Sequence, residues 1–385
     1  MEKLKASLVI PSSLDWSDPD PCKWNHVVCE NQRVTRIQIP SQNVGGTLAP
    51  DVKDLSELQI FEVMNNQIGG PIPSFAGLSQ LQVTNFQTNN FSSFPADFFT
   101  GLSSLSQIYL DYNSFDPWEI PDSIKEATTL TNFSANKANI QGMFPGLFDP
   151  ATFSSLQILH LAMNNLTGEL PANLAGSGIS SLWVNGQSLS GTIQVIQNMS
   201  SLQEVWLHGN QFSGLLPDFS MLTGLQQLSL RDNQFTGIVP TSLINLKTLN
   251  IVNLTNNELQ GSTPKFADGV MVDMIPGTNS FCLDDPGVAC DERVDILLSI
   301  AEAVGYPEVF ADRLTGTISS DFAKLTSLTT LVLSGDNLTG TIPEELTTLP
   351  NLTRLDVSDN NLNGKIPSFS SNVTLITFGN PDLGK

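Results

Sequence analysis

LQEVWLHGNQFSGLLP, residues 202–217, decides the fold. Leu202, Val205, Leu207 and Asn210 stand at the spacing of a unit whose inside is dry, while Trp206 and His208 fall at positions that face water. The same form returns in LQIFEVMNNQIGGPIP (58–73), LQILHLAMNNLTGELP (156–171), LQQLSLRDNQFTGIVP (225–240) and LTTLVLSGDNLTGTIP (328–343). The shared pattern is LxxLxLxxNxLxGxIP, with a period of about 23–24 residues.

That period predicts an α/β repeat: a right-handed leucine-rich-repeat solenoid, a curved superhelix with a parallel sheet on its concave face. Alternate residues of each LxL strand point inward, so the leucines of one repeat stack on those of the next. One repeat cannot bury its apolar face, whereas a stack can. The asparagines, among them Asn66, Asn164, Asn210, Asn233 and Asn257, turn the chain out of the strand. Their amides can bond the backbone groups that the bend leaves unpaired. The following Gly permits a second bend, and Pro ends the segment.

Four divisions follow: an N-terminal disulfide cap over 1–33, a first block of about ten repeats over 34–269, a non-repeat island over 270–312, and a second block of about three repeats with a tail over 313–385. Two repeats are irregular, with Ala138 and Gln187 where Asn is expected. The island has no leucine ladder, but VDILLSIAEAVGY carries apolar residues at helical spacing. In DPDPCKWNHVVC (18–29), Trp24 is expected to cover the open end of the first repeat.

Composition narrows the function. Lys+Arg 17 against Asp+Glu 38 gives a net charge of -21, which argues against nucleic-acid partners and contact with anionic membranes. The cysteines form two local pairs, Cys22/Cys29 and Cys282/Cys290, and read best as two short-range disulfides made in an oxidising compartment. The competing reading is four buried free thiols. Glycosylation sequons stand at Asn90, Asn132, Asn165, Asn198, Asn253, Asn337, Asn351 and Asn372, which favours the secretory pathway. No apolar run reaches the roughly 18 residues of a membrane span. MEKLKASLVI is charged and too short in its apolar part for a secretory signal, so the chain reads as a mature, soluble piece.

Catalysis is not expected. The histidines are His26, His160 and His208, with no HExxH or GxSxG. Acidic neighbours such as Asp284/Asp285 and Glu344/Glu345 read as solvated loop charges. DDPGVACDE lacks the ligand spacing of an EF-hand loop, and neither metal nor cofactor is expected.

The DPCxWxxVxC cap, the LxGxIP repeats and the acidic balance resemble the ectodomains of plant leucine-rich-repeat receptor kinases. WSDPDPCKW, SLWVNGQSLSG, EVWLHGNQFSG, NSFCLDDPG and ELTTLPNLTRLDVS, with a cysteine-containing island between two repeat blocks, are similar to the transmembrane kinase (TMK) subfamily. The resemblance covers nearly the whole chain. It implies a single-pass receptor with a cytoplasmic serine/threonine kinase, its ectodomain on the extracellular, apoplastic side of the plasma membrane. It also implies auxin-linked signalling through small secreted auxin-binding proteins, with a co-receptor as a further partner. The chain departs from the family where FAD at 310–312 runs straight into RLTGTIS, without a second DPCxxWxGVxC-like cap or a first strand. Residues are therefore expected to be missing between Asp312 and Arg313. The alternative function is a secreted inhibitor of a cell-wall hydrolase such as a polygalacturonase, against which the island argues.

Outward positions of the strands nominate a binding face for a protein or peptide. Tyr109, Ser134, His160, Trp183 and Trp206 occupy the central place in successive repeats, with Asp111, Tyr112, Lys137, Met163, Glu204, His208 and Arg231 close by. Tyr109, His160, Trp183, Trp206, His208 and Arg231 are the candidate ligand-binding residues. Trp, Tyr and Arg anchor interfaces because they bring large area and a polar handle. The competing reading is that these side chains stack on one another and stiffen the solenoid. His160 and His208, if they titrate near the ordinary ~6.5, would make binding depend on pH.

Overall fold

Each repeat becomes one turn of a solenoid in the computed structural model, which describes residues 1–304 and 314–385. One sheet of 12 strands runs in chain order from Val27–Glu30 and Arg33–Gln38 to Ile251–Asn253 and Met271–Asp273. Its neighbours are parallel except the opening hairpin. Ile108, Phe133, Leu159, Leu182, Val205 and Leu228 point from it into the core, each no more than 1% exposed. Burying such a side chain stabilises by about 1.5–3 kcal/mol.

The asparagines do what the pattern requires. Asn210 donates from Nδ2 to the carbonyls of Val184 (3.0 Å) and Leu207 (2.9 Å), and its Oδ1 accepts from Leu189 N–H (3.1 Å). Gln187 makes the equivalent set, to Leu161, Val184 and Leu166, so this irregular repeat keeps its ladder. At Ala138 the backbone is served differently: Trp118 Nε1 donates to its carbonyl at 2.7 Å, and Asn139 donates to that of Phe115 at 2.8 Å.

A second layer of short strands follows the turns, from Gln141–Met143 to Ser280–Phe281 in one sheet and from Leu8–Val9 to Asn90–Ser93 in another. The layer breaks where DPWEIP (116–121) replaces the glycine motif. Leu8–Val9 pairs antiparallel with Gly45–Thr47, and Leu4 and Leu8 are buried, so the N-terminal segment belongs to the fold. Gly46 has φ +84°, and a Cβ there would lie 2.4 Å from the Ser7 carbonyl oxygen, so only glycine lets this segment approach.

Cys22–Cys29 and Cys282–Cys290 are disulfide-bonded. Trp24 is 2% exposed, and it stacks on Trp16 with centroids 4.9 Å apart, so two indoles close the front end. The sheet continues past Gly269: Met271–Asp273 pairs with Ile251–Asn253, and Asn279 donates to the Leu254 carbonyl as a ladder asparagine. The island then forms a helix, Glu292–Ala303. Ile296, Ile300 and Val304 of this segment join Leu314, Ile318 and Phe322 in the core of the second block. Ser299 bonds Asp321 at 2.5 Å, so the helix covers the open start of that block. The Asp312/Arg313 join lies outside the described residues.

Candidate functional site

Strand register sets the candidate face. Tyr109, Ser134, His160, Trp183, Trp206, Ser229 and Asn253 lie in one line across neighbouring strands. His160 and Trp183 stack with centroids 3.9 Å apart and planes 8° apart, and Trp183 and Trp206 with centroids 4.1 Å and planes 2° apart. Each such pair contributes about 0.5–1.5 kcal/mol beyond its burial. Trp183 is thus covered on both faces, and His160 and Trp206 on one face each, so what Trp183 exposes is ring edge. The stack is the self-supporting arrangement that competed with binding, and it is also a preorganised surface.

Hydrogen bonds hold the stack. His160 Nε2 lies 2.8 Å from Ser181 Oγ, which donates to Glu204 Oε2 at 3.0 Å. Tyr109 is set apart from the stack by Ser134. Its hydroxyl donates to Gln107 Oε1 (3.2 Å) and accepts from Asn132 Nδ2 (3.1 Å). Arg231 donates from Nε to Asp232 (2.9 Å) and from Nη1 to Asp273 (3.2 Å), so its guanidinium is already engaged. Tyr112, Lys137 and Met163 sit on the turn after the strand with φ of 54°, 50° and 57°, forming a rim rather than a floor. Tyr112 and Met163 are exposed.

Trp183 Nε1, Asn185 Oδ1 and His208 Nδ1 are buried without a hydrogen-bond partner among the described residues. Trp183 ends its strand, and Asn185 and His208 follow two adjacent strands, Ser181–Trp183 and Glu204–Trp206. Asn185 went unnoticed in the sequence, although it holds the same offset after its strand as His208 and Arg231 do after theirs.

The structure corrects the expected pH response. Burial pushes the His160 imidazole down to about 4. Burial also lowers His208, helped by the Arg231 guanidinium and opposed by the Asp232 carboxylate. The line therefore gains no charge at His160 in the mildly acidic range. A depressed histidine contributes stability that is complete above the unfolded value of 6.5 and is lost as pH falls toward about 4. The protein is expected to lose stability over that window, and His160→Phe to lose less. Urea unfolding of both proteins across the window checks this, and identical pH slopes would contradict it.

The Leucine Rich Repeat family profile matches residues 155–177, 201–221, 224–246, 327–349 and 351–373. The chain is 44% identical over 323 residues to Receptor-like kinase TMK2 of Arabidopsis thaliana, covering 82% of this chain and 36% of that relative. It is 40% identical over 360 residues to Receptor-like kinase TMK4 of the same species, covering 84% and 38%. The chain thus spans little more than a third of the length of these relatives. Among solved structures it is similar to the plant peptide hormone receptor RGFR1 in complex with RGF2, at TM-score 0.57 and 25% identity over 90% of this chain and 62% of that one. It is similar also to PEPR1–AtPEP1, at TM-score 0.59 and 26% identity over 99% and 58%.

Proposed function

Because the chain is a leucine-rich-repeat ectodomain of the TMK receptor-kinase type, we propose that it recognises an extracellular protein or peptide on the face built around His160, Trp183 and Trp206. The kinase chemistry belongs to the cytoplasmic part of such a receptor, held at the plasma membrane by a single span. The observation that carries this reading is the stack: a rigid aromatic surface costs little side-chain entropy to use. Ring edges carry the positive end of the quadrupole, so they favour a partner's carbonyl oxygens or the face of an aromatic ring. The TMK resemblance extends the proposal to auxin-linked signalling, with a small secreted auxin-binding protein as partner and a co-receptor completing the complex. Capture from apoplastic fluid with the wild type and with Trp183→Ala/Trp206→Ala tests the site. Recovery of a specific partner by the wild type alone is expected, and equal recovery by both would remove the stack from the site.

A further inference from the structure

We infer that Asn132 and Asn253 carry N-linked glycans that stand at the two ends of the aromatic stack and confine a partner to the strands between them. The inference rests on the extracellular reading above. Of the sequon asparagines, these two lie on strands of the long sheet, Asn132–Ser134 and Ile251–Asn253. Asn90, Asn165 and Asn337 lie instead on the short strands of the second layer.

Both amides are placed to carry a sugar without disturbing the fold. Asn132 Nδ2 donates sideways to Tyr109 Oη (3.1 Å), and Asn253 Nδ2 donates sideways to Ser229 Oγ (3.3 Å). Glycosylation forms the Nδ2–C1 bond as the C1–O bond to a lipid-pyrophosphate sugar donor breaks. One amide proton goes to the transferase base, and the lipid pyrophosphate leaves. A glycosylated amide keeps one N–H, so each sideways bond can persist. The sequon hydroxyls have work of their own in the fold: Ser134 donates to Asp111 (2.7 Å) and Thr255 to Asp273 (2.8 Å). Removing those hydroxyls would damage the carboxylate contacts, so the asparagines are the residues to change.

Five strand steps separate the two asparagines, through Ile158, Ser181, Glu204 and Gln227 to Ile251. At about 4.8 Å per step, with Asn253 two residues or about 6.6 Å further along its strand than Ile251, the sugars would root about 25 Å apart. His160, Trp183, Trp206 and His208 fall inside this window. Tyr109 falls outside it, on the strand before Asn132, which removes it from the partner's footprint and gives its hydroxyl a supporting role.

The test uses the chain secreted from plant cells, with glycopeptide mass spectrometry after peptide N-glycosidase treatment in oxygen-18 water, which leaves a labelled Asp at each former glycan site. Sugar at both Asn132 and Asn253 is expected. Exposed Asn165 and Asn337 serve as controls: sugar there with none at Asn132 and Asn253 overturns the inference and leaves the extracellular reading standing. Sugar at no sequon overturns both. A second arm labels Gln227→Cys with a small maleimide and with a polymer-bearing maleimide. Asn132→Gln/Asn253→Gln, or enzymatic deglycosylation of the intact protein, is expected to speed the polymer reaction severalfold and to leave the small reagent's rate unchanged. An unchanged polymer rate would overturn the confinement.

Discussion

Asn164→Leu is expected to lower the stability of the solenoid by about 3–5 kcal/mol, since buried backbone groups left unpaired cost about 1–3 kcal/mol each. Asn164 is 6% exposed. Its Nδ2 donates to the carbonyls of Ala135 (2.8 Å) and Leu161 (2.9 Å), and its Oδ1 accepts from Ala138 (3.0 Å) and Ile140 (2.9 Å) N–H groups. The preceding turn carries Ala138 and has no ladder asparagine of its own to help, so the defect cannot be shared. Leucine matches the volume but bonds none of these groups. Denaturant unfolding of the two proteins measures the difference, and a change below about 1 kcal/mol would mean that the ladder is dispensable at this turn.

Trp183→Ala/Trp206→Ala is expected to weaken partner binding at least about thirtyfold, the equivalent of one interface hot spot of about 2 kcal/mol. The truncation removes two ring edges from the surface and leaves His160 without its stacking neighbour. The core under the stack is built from Leu182 and Val205, which stay buried, so the fold should hold. Tyr109→Phe makes the matched control: it removes the hydroxyl that bonds Asn132 and should leave affinity unchanged. Titration of the captured partner by calorimetry measures both. A double variant that binds as the wild type does would show that the stack only supports its own neighbours.

The solenoid was legible because its inward positions repeat with a short, strict spacing that water enforces at every turn. LxLxxN names the buried residue, the exposed neighbour and the bend together, so Trp183 and Trp206 could be placed on one face from the sequence. Gln187 kept the ladder because its amide is the same group on a longer stem. Less was legible where a single contact does the work. Trp16 closes the front with Trp24, yet nothing periodic marks it. The island looked like an end of the repeats because Met271–Asp273 lacks leucines, although Asn279 still bonds as a ladder asparagine. The titration of the histidines is not legible in the sequence, for a physical reason. Sequence shows that His160 faces outward, but not that an indole and a hydroxyl bury it there.

The most direct test of the binding face is hydroxyl-radical footprinting of the ectodomain with its captured partner. The expected result is slower oxidation of Trp183, Trp206 and His160 in the complex, with exposed Met271 and Phe378 oxidised as in the free protein. Unchanged oxidation of both tryptophans, with protection at the island or on the second repeat block, would contradict it and place recognition elsewhere.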